Sequence, residues 1–127
     1  MVNDWRVDLL SEFVEGFGLN GREALASGEL MLNFADGDQF HINLVAEDDV
    51  DLLLSHEVMM ADQGGVMQRA LAHNHFSKVQ SYKANAHFYQ EQLVLKLRLY
   101  RHDLSLVALE QALTMLRQTS QQIRLQA

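Results

Sequence analysis

The sequence predicts one α+β domain over residues 1–127, in the order α-β-β-β-α-β-β-α, with helices packed on a twisted antiparallel sheet. Three observations carry that prediction. In Leu93-Val94-Leu95-Lys96-Leu97-Arg98-Leu99-Tyr100-Arg101, leucines at alternate positions face one way and mostly polar groups the other, the pattern of a half-buried strand. Three earlier segments between Leu30 and Val58 show the same period of two. The last segment runs on a three-four rhythm through Leu106, Leu109, Leu113, Leu116 and Ile123, which is helical. A strand cannot bury four leucines alone, so neighbouring strands and a covering helix must share them.

In chain order, Trp5, Leu9, Leu10, Phe13, Val14 and Phe17 recur at helical spacing from Asp4 to Phe17, and Gly16 and Gly18 mark the end. With Val7 these apolar side chains cover an arc of about 200°, roughly twice what packing on one surface needs. Such a helix requires either two internal neighbours or one internal neighbour and a partner. Gly21 to Gly28 reads as an irregular connection. Leu30, Leu32 and Phe34 then form a first strand, Asp36-Gly37-Asp38 a tight turn, and Phe40, Ile42 and Leu44 a second strand. The acidic turn Glu47-Asp48-Asp49 leads into Val50, Leu52, Leu54, His56 and Val58, completing a meander whose outer face is blurred by Leu53 and Met59.

Asp62-Gln63-Gly64-Gly65 breaks the alternation, and Val66, Met67, Ala70, Leu71 and Asn74 define a second, short helix that Asp62 is placed to cap. Ala84, Ala86 and Phe88 form a fourth strand, joined through Gln90-Glu91 to the leucine strand. The final helix spans Ser105 to about Arg124, with Arg117 and Arg124 toward its C-terminal end, where the helix dipole favours cations.

Of 127 residues, 48% are hydrophobic, enough for one compact core. The absence of cysteine excludes disulfides, thiolate zinc sites and cysteine nucleophiles, and suits the cytoplasm. No signal-peptide pattern opens the chain and no segment has the length and apolarity to cross a bilayer, so neither export by that route nor a membrane is expected. The net charge of −7 is uneven: residues 1–62 hold 14 acids and 2 bases, residues 63–127 hold 3 acids and 8 bases. Basic character in one half raises a small nucleic-acid-binding regulator as a rival function. The bases are scattered, however, and aromatic residues do not interleave with them, so opposite charges that complement one another within the fold or a dimer are the simpler expectation.

Catalytic and metal motifs fail on spacing. His56-Glu57-Val58-Met59-Met60 opens like a zinc-protease helix but has Met60 where the second histidine belongs. His73 and His75 diverge by roughly 200° on a helix and cannot chelate one ion. Asp36-Gly37-Asp38 with Glu47 echoes a calcium loop, yet Phe40 stands at a ligand position and His41 where the turn glycine belongs. There is no GxSxG, phosphate loop or GxGxxG. No enzyme, cofactor or metal is expected. What remains is surface, with an over-apolar first helix, Met31, Val45, Leu53 and Met59 on the sheet's second face, and methionines suited to adaptable contacts.

The element order in a small, acidic, cysteine-free chain resembles the class I type III secretion chaperones. So do Val66-Met67-Gln68-Arg69-Ala70-Leu71-Ala72-His73-Asn74-His75-Phe76, and Leu93 to Arg101 followed by Asp103 and a leucine-rich helix. Ser81-Tyr82-Lys83-Ala84-Asn85-Ala86 departs from the family, whose fourth strand often has a glycine-rich, apolar opening. The resemblance implies a non-enzymatic chaperone holding the N-terminal segment of a secreted effector or gatekeeper in extended form. It implies a homodimer, or a heterodimer with a sister chaperone. From the charge pattern and hydropathy, neither nucleic acid nor membrane is expected as partner. The resemblance places the client on Phe13, Phe17, Leu19, Met31, Asn33, His41, Asn43 and Val45, and the dimer contact on Val66, Met67, Ala70, Leu71, Asn74 and Phe88.

Overall fold

The computed structural model describes residues 5–18, 29–45, 48–76 and 85–125, and for 74–76 the backbone alone. Leu19, the 21–28 connection, Glu47 and 81–84 lie outside the described residues. Helix α1 spans Trp5–Glu15, strands β1, β2 and β3 span Glu29–Asn33, Gln39–Leu44 and Val50–Glu57, and helix α2 spans Gln63–Phe76. Strands β4 and β5 cover Asn85–Tyr89 and Gln92–Leu99, and helix α3 covers Leu106–Leu125. The expected order α-β-β-β-α-β-β-α therefore holds.

One five-stranded antiparallel sheet results, in the order β1-β2-β3-β5-β4. The leucine strand is its pivot, pairing with β3 along Val50↔Leu99 to Glu57↔Gln92 and with β4 along Asn85↔Lys96 to Tyr89↔Gln92. Register aligns the inward side chains in rows, Leu30–Ile42–Leu52–Leu97 and Leu32–Phe40–Leu54–Leu95–Ala86. All are buried, and Leu10, Phe13 and Val14 of α1 with Leu109, Ala112, Leu116 and Ile123 of α3 close over them.

Local chemistry sets the element ends. Ser105 Oγ accepts the Ala108 N–H at 3.0 Å, an N-cap that starts α3. The β1–β2 turn needs Gly37, whose φ is +98°, while Asp36 Oδ1 accepts the Asp38 N–H at 3.0 Å and Phe34 N–H donates to the Asp38 carbonyl at 2.8 Å. Gln90 and Glu91 both adopt positive φ, the two-residue primed hairpin turn without its usual Asn-Gly. Helix α1 stops at Glu15, two residues before the expected end, and Phe17 sits in the turn that follows. Asp62 lies in a 3-10 turn, Met60–Asp62, that runs straight into α2. Arg6 of α1 is buried and donates to the carbonyls of Val45 and Asp49 at 2.6 and 2.7 Å, tying the helix to the end of the β2–β3 hairpin.

Among the described residues no helix is long and apolar enough to cross a membrane. Nor does any group of three or more histidine, aspartate or glutamate side chains there stand ready to hold a metal ion.

Candidate functional site

Two exposed apolar surfaces stand out. The first surrounds β1, an edge strand whose only partner among the described residues is β2. On its helix side an aromatic chain climbs out of the core: Phe40 and Phe13 have ring centroids 6.3 Å apart, Phe13 and Phe17 5.4 Å, and Phe17 and Phe34 5.9 Å, all edge to face. Phe17, at 45% exposure, is the outermost ring on α1's side. On the opposite face of β1, Met31 is exposed and stands across from His41, which pairs onward to Leu53, while Asn33 is exposed beside it and Asn43 and Val45 are partly covered.

The expected client residues are thus not on one face. Phe17 lies on the helix side, and Met31, Asn33, His41 and Asn43 on the open side, with the β1 edge between them. Phe13 is a correction: at 3% exposure, packed between Phe40 and Phe17, it belongs to the core. A helix face groups residues four apart, but α1 ends before Phe17, so Phe17 leaves the interior where Phe13 stays in it. Phe34, resting on Phe17, is a contributor that the strand pattern assigned to the core.

The second surface is the outward side of α2. Met67 and Leu71 are exposed there with Gly64, Gln68 and Ala72. Met59 and Met60, 77% and 80% exposed, precede the helix, and Tyr89 at the end of β4 is exposed as well. The placement corrects two expected contact residues: Val66 and Ala70 occupy the opposite side of α2, fully buried in the core. Phe88 is partly buried against that core, and the Asn74 side chain is outside the description. Sequence reasoning missed Met60 and Tyr89 as surface anchors; the signal was an apolar pair, Met59-Met60, belonging to neither the strand nor the helix period.

Charge is largely settled internally. Asp51, buried on the open sheet face, accepts from Arg98 Nε and Nη2 at 2.6 and 3.0 Å, with Lys96 Nζ at 3.8 Å. Arg117 of α3 lies 4.2 Å above the Phe34 ring and donates to Asp36 at 2.6 Å and Asp38 at 3.1 Å. Asp38, only 2% exposed, also takes His56 Nδ1 at 2.7 Å. Arg124 Nη1 lies 2.9 Å from His56 Nε2. A guanidinium can only donate, so Nε2 accepts and the proton sits on Nδ1, facing Asp38. Arg69 of α2 donates to the carbonyls of Ile123 and Arg124, closing the end of α3. Five of the eight bases in the second half thus have an acid, a carbonyl or His56 as partner within the fold, with Lys96 and Arg98 still exposed.

These pairs make stability pH-dependent. The hydrogen bond from Arg98 holds the Asp51 carboxyl below its ordinary range, and the Asp38 backbone N–H, then Arg117, does so for Asp36. A depressed folded-state value gives stability that is present above the unfolded carboxylate range, near pH 4, and lost as pH falls through the folded values. The melting temperature is expected to hold down to about pH 5 and to drop below about pH 4. Asp51→Asn should flatten part of that drop, and an unchanged acid limb would show that Asp51 does not contribute.

A family model described as type III secretory system chaperone SycN matches residues 5–124. Among solved structures, the ExsC–ExsE complex matches with a TM-score of 0.75 at 20% identity, covering 98% of this chain and 95% of that one. The Yersinia pestis type III secretion chaperone SycH, solved with a stable fragment of YscM2, matches with a TM-score of 0.70 at 19% identity, covering 92% and 98%. The heterodimeric ExoU–SpcU complex from the type III secretion system of Pseudomonas aeruginosa gives 0.63 at 19%, covering 90% and 93%. At these identities the structural likeness concerns the fold. No curated protein matches this chain in sequence.

Proposed function

The chain belongs to the type III secretory system chaperone SycN family, and we propose that it binds the N-terminal segment of a secreted effector or gatekeeper in extended form. Family and fold point to a non-enzymatic role. Several solved neighbours are protein complexes, among them the chaperone SycH with a YscM2 fragment and the HopA1–SchA chaperone–effector complex, while another, YbjN, is described as a candidate transcription regulator; the chaperone complexes support a protein client here. The observation that carries the reading is the β1 edge with exposed Phe17 on one side and Met31 on the other. An extended segment can add main-chain hydrogen bonds to such an edge and seat alternate side chains on both faces. A disordered client loses conformational freedom on binding, so a path that wraps the edge supplies the apolar contact needed to offset it.

The working unit is a cytoplasmic dimer joined across the exposed side of α2, a homodimer first and a heterodimer with a sister chaperone second. Co-expression with proteins encoded nearby, followed by mapping of the protected segment, tests the client. One N-terminal segment should be shielded, and the complex should survive a salt increase that strips proteins held by phosphate contacts. Capture of DNA with a steep loss of affinity in salt, and of no protein segment, would replace this reading with the regulator.

A further inference from the structure

We propose that Arg117 of α3 touches the client directly, donating from Nη1 to a main-chain carbonyl of the segment where it leaves the β1 edge; the inference rests on the reading of that edge as the client path. Two of the three guanidinium nitrogens are already placed. Nε donates to Asp38 and Nη2 to Asp36, while Cζ lies 4.2 Å from the centroid of the Phe34 ring. Nη1 has no partner among the described residues, and the side chain is 36% exposed. A donor is thus left over on the ring that Phe17 rests against.

The sheet register shows why a donor is needed there. Phe34 N–H donates to the Asp38 carbonyl, so by alternation Leu32 and Leu30 direct their main-chain groups to β2, and Glu29, Met31 and Asn33 direct theirs outward. An added strand can bond as far as Asn33 and no farther. Beyond that point the segment crosses Phe34 and Phe17, whose ring centroids stand 5.9 Å apart and cover its backbone with apolar surface. A carbonyl covered without a donor is costly, and Arg117 supplies one on the same ring. Asp36 and Asp38 already match its charge, so a neutral carbonyl suits Nη1 better than a further carboxylate. Held by two acids and a ring, the guanidinium has little freedom left to lose on binding.

The test is fluorescence anisotropy with the labelled segment mapped from the co-expressed complex, on the wild type, Arg117→Met and Asp36→Asn, at a temperature where all three are folded. Arg117→Met keeps an apolar stem against Phe34 and removes every donor, whereas Asp36→Asn loosens the guanidinium and removes none. Both should melt below the wild type. Only Arg117→Met should bind about tenfold more weakly, the size expected of one hydrogen bond from a charged donor. Arg117→Met at wild-type affinity, or affinity falling equally in the two variants, overturns the contact and leaves the client path standing. A wild type that captures no segment overturns the path, and the contact with it.

Discussion

Phe13→Asp is expected to abolish folding, and Phe17→Asp to leave a folded protein that no longer captures its client. The two rings touch edge to face at 5.4 Å, yet 3% and 45% exposure separate their roles. Removing a buried phenylalanine alone costs about 3–5 kcal/mol. A carboxylate in its place, against Phe40 and without a partner, adds several kcal/mol more. Together these approach the whole stability of a domain this size, about 5–15 kcal/mol. Phe17 forfeits only two edge-to-face contacts, about 0.5–1.5 kcal/mol each, and partial burial. A circular dichroism melt and client co-purification separate the outcomes. A Phe17→Asp chain that unfolds would make Phe17 core, and one that is folded and still holds its client would move the binding path away from α1.

The contrast shows where sequence periodicity stops being informative. Alternation identified all five strands and their inward faces, because side-chain direction in a strand depends only on parity. It carried no information on β5 lying between β3 and β4, since strand order depends on which edges meet rather than on which residues point inward. The helical rhythm placed Phe13 and Phe17 together, and the early end of α1 parted them. In α2 apolar residues lie on opposite sides, so Val66 and Ala70 could not be told from Met67 and Leu71 until packing against β4 and α3 chose between them. The opposed charges of the two halves were legible, and several are indeed spent on each other, as in Asp51–Arg98 and Asp36–Arg117. Asp38 was read only as a turn residue, because local spacing does not show that Arg117 and Arg124, distant in sequence, converge on it.

That convergence makes Asp38→Ala the most damaging polar substitution expected. The carboxylate is almost fully buried and faces three cationic or donor groups, Arg117 Nε at 3.1 Å, His56 Nδ1 at 2.7 Å and Arg124 Nη2 at 3.8 Å. A buried ion pair is weak evidence of net stabilisation, but removing one partner strands the other, at about 3–5 kcal/mol. Arg117 retains Asp36, which is half-exposed, whereas among the described residues the largely covered Arg124 and His56 side chains keep each other and Ser120. Most of the loss therefore falls on the Arg124–His56 side, where α3 meets β3. The melting temperature should fall by more than about 10 °C. Asp38→Ala combined with His56→Ala should be less damaging than the sum of the single changes, because the second removes a donor that the first has orphaned. Strict additivity would mean that the two do not act as a unit. The client surface should be largely spared, since Asp36 still holds Arg117 over Phe34, on which Phe17 rests.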